Sequence, residues 1–265
     1  MLHATFHRGH SNLYKRYTGH RDPEDVHVHE EDEITSTVIG PLDLLPPIAV
    51  HRFWFELLLS VDEEFLSPEP PVSADIKLWD SRPATDGSTR IEPDCIVEFK
   101  LANGERRILL VEFKWRAPLS GKNQLRRQWL KYLTEDERGD ALHIFIGIKV
   151  SAAADARYGA DSKYWQMAAG NRLVLISWLQ VRSVLGSLKK GSDKLALWAR
   201  LSDRFLERVG IRRFSGFSYL QERLPKVAST TTPLFWSSFR GWGCLATLPD
   251  LPERLPARLF YSNSR

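Results

Sequence analysis

The chain is poor in cysteine: Cys95 and Cys244 are the only two among its 265 residues. Two thiols can form neither a disulfide framework nor a four-thiolate zinc site, which excludes the small disulfide-rich secreted folds. Apolar runs are short as well, and none approaches the roughly 20 residues that a membrane-spanning helix needs. The first residues lack the apolar segment of a secretory signal. We therefore expect a cytoplasmic protein that has no membrane partner.

A phosphate-binding loop of the form Gly-x-x-x-x-Gly-Lys-Ser/Thr is also missing, so we expect any ATP hydrolysis to come from another subunit. Hydrophobic residues at 43% and charged residues at 26% are ordinary values for a globular protein. The net charge of +4 conceals an asymmetry, because residues 181–265 hold 15 basic and 6 acidic side chains while the other 180 hold 22 and 27. This distribution favours metal chemistry in the acidic part and polyanion binding in the basic part.

The pattern divides the chain into three parts. Residues 1–29 carry six of the eight histidines without a compact ligand spacing, and we expect this segment to be loosely ordered. Residues 30–180 alternate helical and strand periodicities, which predicts an α/β core. Its predicted elements are helices near 30–45 and 49–61, strands at 74–79, 91–99 and 107–115, a helix at 119–133, and strands at 141–150 and 172–178. Residues 181–265 are predicted to form a basic, helical C-terminal extension.

A predicted β-hairpin around Ala102-Asn103-Gly104 is the most informative segment. If its glycine takes the left-handed conformation of a three-residue loop, Leu101 pairs with Glu105. Counting back along both strands then places Asp94 directly opposite Glu112. Opposed carboxylates repel each other, so this arrangement destabilises the sheet unless a cation lies between them.

Such a pair of carboxylates offers the hard oxygen ligands that suit Mg²⁺, and we expect Mn²⁺ to substitute. The metal would polarise a phosphoryl oxygen and activate water. Lys114, two residues beyond Glu112 on the same face, could stabilise the developing charge or help to orient and deprotonate that water. Each residue also has a structural interpretation: Asp94 could cap a turn after Pro93, and Glu112 with Lys114 could be an exposed ion pair. The combined order and register favour the metal site.

Pro93-Asp94 followed by Glu112-Phe113-Lys114 resembles the PD-(D/E)xK signature of restriction-endonuclease-like nucleases. The helix–strand–strand–strand–helix–strand order over about residues 30–150 matches that superfamily's αβββαβ core, a mixed central sheet flanked by helices. A second Glu-Phe-Lys string, Glu98-Phe99-Lys100, shares a strand with Asp94 and is interpreted as a surface pair. On the following helix, Gln128-Trp-Leu-Lys-Tyr132 resembles the QxxxY motif of RecB-like and Cas4-like nucleases.

The resemblance implies a Mg²⁺-dependent endodeoxyribonuclease, and members of the family act in restriction, anti-phage defence and transposon end cleavage. It implies that Asp94 and Glu112 hold the metal, together with the Phe113 carbonyl. Lys114 and Gln128 would assist catalysis, and Gln124, one turn earlier on the same helix face, could share the role of Gln128. An acid from the first helix often completes such sites, and the candidates in order of preference are Glu31, Glu33 and Glu56.

DNA contacts are expected from four side chains of the glutamine-bearing helix: Arg126, Arg127, Lys131 and Tyr132. For its three cations, a solvated basic face is about as good an explanation. The runs Arg212–Tyr219 and Phe235–Trp242 interleave cations with aromatic rings, so they could hold phosphates and bases, pack as a subdomain or dock on a partner. A homodimer, or an ATPase or other subunit, could complete the activity. The alternatives are a non-catalytic or partner-gated nucleic-acid-binding subunit on the same fold, and an RNA nuclease.

Overall fold

A computed structural model of the chain describes residues 30–115, 118, 119, 121, 123–168 and 170–212. The histidine-rich segment 1–29 and the aromatic runs that follow Arg212 lie outside the described residues, so the expectations for both stay predictions. Among the helices of the described part, none is both long and apolar enough to cross a membrane.

A five-stranded mixed sheet forms the centre of the described part. Its strands follow chain order across the sheet: β1 (Ser73–Leu78), β2 (Cys95–Lys100), β3 (Arg106–Lys114), β4 (Ala141–Gly147) and β5 (Leu173–Ser177). β1, β2 and β3 are antiparallel neighbours, whereas β3, β4 and β5 run parallel. Antiparallel strands can be joined by short turns, while parallel strands need longer crossovers. The predicted α/β class with a mixed central sheet is confirmed.

Helices cover both faces of this sheet. The longer ones are α1 (Glu30–Val38), α2 (Pro47–Leu59), α3 (Gln124–Arg127, continued by a π-helical turn, Gln128–Tyr132), α4 (Trp178–Leu188) and α5 (Lys194–Arg208). Short helical turns occupy Gly40–Leu44, Glu135–Gly139, Val150–Ala153, Ala154–Tyr158 and Ala160–Tyr164. Two small antiparallel pairs complete the described elements: Arg82–Pro83 with Arg90–Ile91, and Gln166–Met167 with Gly170–Asn171.

The hairpin between β2 and β3 has the predicted register. Gly104 has a φ of 87°, and the backbone N–H of Leu101 donates to the Glu105 carbonyl at 2.9 Å. The strands keep this register to the beginning of β2. Asp94, one residue before β2, therefore lies opposite Glu112 near the end of β3. The left-handed glycine turn thus determines which residues face each other some ten residues away along the chain.

Side chains that alternate along β3 enter two separate apolar clusters. Val111 and Phe113 face α1, α2, α4 and α5, whereas Leu110 faces α3 together with Trp129 and Trp165. Because side chains on a strand point alternately to opposite faces, Glu112 follows Leu110 toward the α3 side. The sheet is therefore buried on both faces, and any polar group near the middle of β3 must find its partners inside the protein.

The boundary predicted at residue 181 requires correction. Val181, Leu185 and Trp198 are buried in the same cluster as α1 and α2, and the Trp198 indole N–H donates to the Val38 carbonyl at 2.8 Å. Burying a large apolar side chain contributes about 1.5–3 kcal/mol, so α4 and α5 are held firmly against the sheet. Residues 181–211 therefore belong to the core and not to a separate extension.

A histidine lies in the middle of this structure on β4. His143 is fully buried between the rings of Trp129 and Trp165, and its Nδ1 accepts a hydrogen bond from the Trp165 indole at 3.2 Å. Burial lowers the pKa of His143 to about 3, because an imidazolium would lose its hydration without gaining an anionic partner. The ring is therefore neutral in the folded protein.

We expect acid to destabilise the fold through His143. Its folded-state pKa of about 3 lies below the ordinary value of 6.5, so the unfolded chain takes up the proton first and stability is lost as the pH falls from 6.5 toward 3. From about pH 7.5 to about pH 5.5, this residue should lower the free energy of unfolding by about 1.4 kcal/mol.

Urea unfolding at the two pH values, in the native chain and in His143→Leu, measures this contribution. His51, whose pKa is also lowered by burial, is present in both chains and cancels in the difference. An identical pH dependence of the two chains would show that His143 does not contribute.

Candidate metal centre

Three acidic side chains from different elements meet at the end of β3. They are Glu31 in the first turn of α1, Asp94 just before β2, and Glu112 on β3, and one carboxylate oxygen of each lies within 4.8 Å of the others. Glu31, the preferred acid of the first helix, belongs to this cluster, whereas Glu33 and Glu56 do not. The carboxylates that the sequence analysis assigned to the metal are therefore brought together.

Glu112 is completely buried, so its charge must be compensated by donors from the protein. Its Oε1 accepts from the Gln124 amide at 2.6 Å and lies 2.7 Å from the Lys114 ammonium, and its Oε2 accepts from the Gln128 amide at 2.6 Å. Burial raises the pKa of Glu112, and the ammonium of Lys114 and the Gln128 amide oppose that rise. The interpretation of Glu112 and Lys114 as an exposed ion pair is therefore wrong.

Lys114 bridges two of the acids. Its Nζ lies 2.5 Å from Glu31 Oε1 and 2.7 Å from Glu112 Oε1, and the residue is only 8% exposed. Burial alone would lower the pKa of Lys114, but the carboxylates of Glu112 and Asp94 outweigh it and raise that pKa above its ordinary value. The side chain is therefore a buried ammonium held by carboxylates.

Asp94 is the least compensated of the three acids. Its Oδ2 accepts from the backbone N–H of Phe113 at 2.7 Å. Burial, and then repulsion by Glu112, raise the pKa of Asp94 well above its ordinary value, although Lys114 acts in the opposite direction. A divalent cation among these oxygens would relieve that repulsion.

The backbone at the end of β3 is fixed from two sides. The N–H of Trp115 donates to Glu31 Oε2 at 3.2 Å, and the indole of Trp178 donates to the Lys114 carbonyl at 3.2 Å. Trp178 also stacks on Phe113, with ring centroids 5.6 Å apart. The strand end is therefore rigidly placed, which favours precise positioning of ligands. The Phe113 carbonyl as a further metal ligand stays a prediction.

The donor set fits a hard divalent cation. All three ligands are carboxylates, which suit Mg²⁺, Mn²⁺ or Ca²⁺ better than the nitrogen and sulfur ligands typical of zinc sites. Oxygens on opposite sides of Mg²⁺ lie about 4.2 Å apart, twice the Mg–O distance. Adjacent oxygens of an octahedral site lie closer, at about 3.0 Å, so the three oxygens, which lie within 4.8 Å of one another, could share one ion if the side chains moved closer together.

The two glutamines reach Glu112 from an unusual helix. Gln124 lies in the α-helical part of α3 and Gln128 begins its π-helical turn, a local widening that is often found at functional sites. The carbonyls at the end of this turn accept hydrogen bonds from Thr85, whose N–H lies 2.8 Å from the Lys131 oxygen and whose hydroxyl lies 3.3 Å from the Leu130 oxygen. The segment that follows β1 therefore supports the helix that carries both amides.

Tyr132 lies in the interior, which corrects its assignment to DNA contact. The residue is 2% exposed, its hydroxyl donates to Asp80 Oδ2 at 2.5 Å, and the Arg82 guanidinium covers its ring at 4.6 Å. Arg82 also donates to Asp80 at 2.9 Å. Asp80 was not among the predicted site residues, although an acid directly after the predicted strand 74–79 offered a sequence signal. Trp79 itself has a φ of 55°, a rare left-handed conformation for a bulky residue.

Two of the three cations predicted to contact DNA form ion pairs within the protein, and the third is exposed. Arg126 forms an ion pair with Asp161 at 3.2 Å, and Lys131 forms one with Asp86 at 2.8 Å. Arg127 is exposed. Because partly exposed ion pairs exchange partners at little cost, these charges remain available to phosphates. Their contact with DNA stays a prediction.

We expect Tyr132→Phe to lower the free energy of unfolding by about 1.5–3 kcal/mol, because it removes a buried hydrogen bond to a carboxylate. The matched control is Tyr158→Phe, whose ring is 77% exposed and which should change stability by less than about 0.5 kcal/mol. Denaturant unfolding of the two variants checks both values. Equal stability of the variants would mean that the Tyr132–Asp80 hydrogen bond does not hold the helix.

Comparison of the chain with protein-family models, with curated proteins and with solved structures finds no match in any of the three. The resemblance to PD-(D/E)xK nucleases therefore rests on the residues themselves. A functional proposal has to account for three carboxylates, a bridging ammonium and two amides at one strand end.

Proposed function

We propose that this protein is a metal-dependent endodeoxyribonuclease of the PD-(D/E)xK, restriction-endonuclease-like superfamily. The observation that carries the proposal is the meeting of Glu31, Asp94 and Glu112 around the Lys114 ammonium. The αβββαβ order, in which antiparallel β1–β3 are followed by α3 and by parallel β4, supports the same fold assignment. The amide of Gln128 on Glu112 supports the RecB-like and Cas4-like element.

The acids would hold Mg²⁺, for which Mn²⁺ could substitute, and the Phe113 carbonyl would add a fourth protein ligand. When bound, the ion would neutralise charge on the scissile phosphate and acidify the attacking water. Hydrolysis adds water across one P–O bond, so the water loses a proton and the departing sugar oxygen gains one. A single centre cleaves one strand, and a double-strand cut would require a homodimer or a second nuclease.

The remaining residues of the site would orient the Glu112 carboxylate, stabilise charge on the phosphate and attract DNA. Gln124 and Gln128 hold one oxygen of Glu112 each, which prevents rotation of that carboxylate. The raised pKa of Lys114 keeps it an ammonium, so its part is to stabilise negative charge on the phosphate or to orient the water. DNA would be attracted by Arg126, Arg127 and Lys131, and by the net charge of +9 over residues 181–265. Restriction, anti-phage defence and transposition are the settings that we propose.

Cleavage assays test the proposal directly. We expect the native chain to cut supercoiled plasmid or a single-stranded oligonucleotide with Mg²⁺ or Mn²⁺ and to stop in EDTA. Mutation of a residue that only orients a metal ligand typically lowers activity by about 10- to 100-fold. We expect Glu112→Gln to lower the cleavage rate by more than this, because it removes a proposed ligand itself. The same change in the second Glu-Phe-Lys string, Glu98→Gln, should leave the cleavage rate unchanged. Glu98 lies on β2 outside the cluster, and its carboxylate pairs with Arg106 of β3 at 3.8 Å.

Equal rates in the two glutamine variants would contradict the assigned centre, even if the protein cuts DNA. Lack of Mn²⁺ binding by the folded native chain would remove the catalytic proposal altogether. Cleavage of an RNA strand in preference to DNA would keep the chemistry and change the substrate.

Loss of an amide that holds Glu112 should weaken metal binding. We expect Gln128→Leu to raise the dissociation constant for Mn²⁺ by about 10- to 100-fold, because a carboxylate without its orienting donor binds less well. Gln166→Leu, which changes an exposed glutamine, serves as the control. Calorimetric titration of both variants measures the effect, and an unchanged constant in Gln128→Leu would show that the amide does not orient the ligand.

A further inference from the structure

The Lys114 ammonium occupies the position that a cation would take between two of the acids. It lies 2.5 Å from Glu31 Oε1 and 2.7 Å from Glu112 Oε1, and it is almost completely shielded from solvent. These are the distances of direct, charge-assisted contacts with no water between the groups. The ammonium therefore neutralises part of the acidic cluster by itself.

We infer that Lys114 competes with the divalent cation for Glu31 and Glu112, so that the metal binds only when the ammonium leaves these carboxylates. This inference rests on the proposed function, because it concerns the same site. It assigns to the lysine a role in setting metal affinity, in addition to its proposed role toward the phosphate.

The donors already bound to Glu112 restrict how a metal can use this carboxylate. A carboxylate oxygen offers about two lone-pair directions. On Glu112 Oε1 these are taken by the Gln124 amide and the Lys114 ammonium, while Oε2 holds the Gln128 amide. A metal that uses Oε1 must therefore displace one donor, and the flexible lysine stem is easier to move than an amide fixed on a helix.

Charge repulsion also opposes simultaneous binding of the Lys114 ammonium and a divalent cation. An ammonium and a divalent cation within a few ångström repel each other, and the repulsion is strong where water is excluded. Glu31 is engaged as well, because its Oε1 holds the ammonium and its Oε2 accepts from the Trp115 backbone at 3.2 Å. Both acids that contact the lysine are therefore already engaged on the atoms that face the cluster.

An acceptor for the displaced ammonium lies beside the site. Gln128 is 3% exposed, and within the described part of the chain its Oε1 has no hydrogen-bond partner. Its Nε2 must be the atom on Glu112, because two oxygens in contact would repel, so the free atom of the amide is an acceptor. Buried polar atoms are normally paired, so this acceptor is available to a donor that is displaced within the site.

Mn²⁺ titration at about pH 8, monitored by calorimetry, tests the competition in the native chain, in Lys114→Met and in Lys77→Met. We expect Lys114→Met to bind Mn²⁺ about tenfold more tightly or better, because close charge pairs of this kind are strong and no longer have to break. Lys77→Met removes the same charge from an ion pair with Asp75 on β1, outside the cluster, and should bind like the native chain.

The outcomes separate this inference from the proposed function. If the native chain binds Mn²⁺ and Lys114→Met binds it equally well or more weakly, the competition is overturned and the nuclease proposal stays in place. Failure of both chains to bind Mn²⁺ would overturn both. Measurable Mn²⁺ binding by the native chain, together with binding at least about tenfold tighter by Lys114→Met, would support both.

A second measurement uses the native chain and does not depend on the folding of a variant. The protein carries ¹³C at lysine Cε, and its NMR signals are followed during titration with diamagnetic Mg²⁺. The Lys114 signal should shift in proportion to metal saturation, while the Lys131 signal stays in place. An unmoved Lys114 signal at saturating Mg²⁺ would overturn the inference.

Discussion

A carboxylate that water cannot reach must be stabilised by the protein, and Glu112 imposes this requirement on every element around it. A buried charge without partners costs several kcal/mol, so the fold has to supply donors at both oxygens. Gln124, Gln128 and Lys114 meet that demand. Glu112 thereby links α3, which supplies both amides, to the end of β3, which supplies the ammonium.

Support for the donors reaches well beyond the site. A four-residue helix followed by one π-helical turn is too short to be stable alone, so α3 depends on tertiary contacts. The segment after β1 provides them through Thr85, which caps the last carbonyls, and through Asp80, which accepts from Tyr132. Trp79 adopts its rare conformation at the point where this segment begins, and such strain persists only where surrounding contacts hold it. The carboxylates proposed as metal ligands therefore depend on hydrogen bonds that lie outside the cluster itself.

The local part of this arrangement could be predicted from the sequence. Gly104 determines the hairpin register, strand alternation places Asp94 opposite Glu112, and each of these inferences needs only neighbouring residues. Glu31 precedes Ile34 by three residues and Val38 by seven, which is compatible with its place in the cluster, but only the packed helix distinguishes it from Glu33 and Glu56.

The contacts that could not be predicted join distant residues. Tyr132 and Asp80 are 52 positions apart, and the Trp198 indole reaches the Val38 carbonyl over 160 positions. Periodicity shows that a helix has an apolar face, but it does not show which surface covers that face. For the same reason, the residues of α4 and α5 could be recognised as helical and still be assigned to the wrong part of the protein.

The charges of the cluster give a reason why Lys114 and the proposed metal would serve different states of one site. With all three carboxylates ionised, the single ammonium would leave an excess of two negative charges, and burial followed by repulsion from Glu112 raises the pKa of Asp94. A divalent cation would cancel that excess, which removes the electrostatic reason for the ammonium to remain on Glu31 and Glu112. A DNA phosphate beside the proposed cation would bring new negative charge, which the released ammonium of Lys114 could stabilise. By linkage, the negative strand and the cation would each strengthen binding of the other.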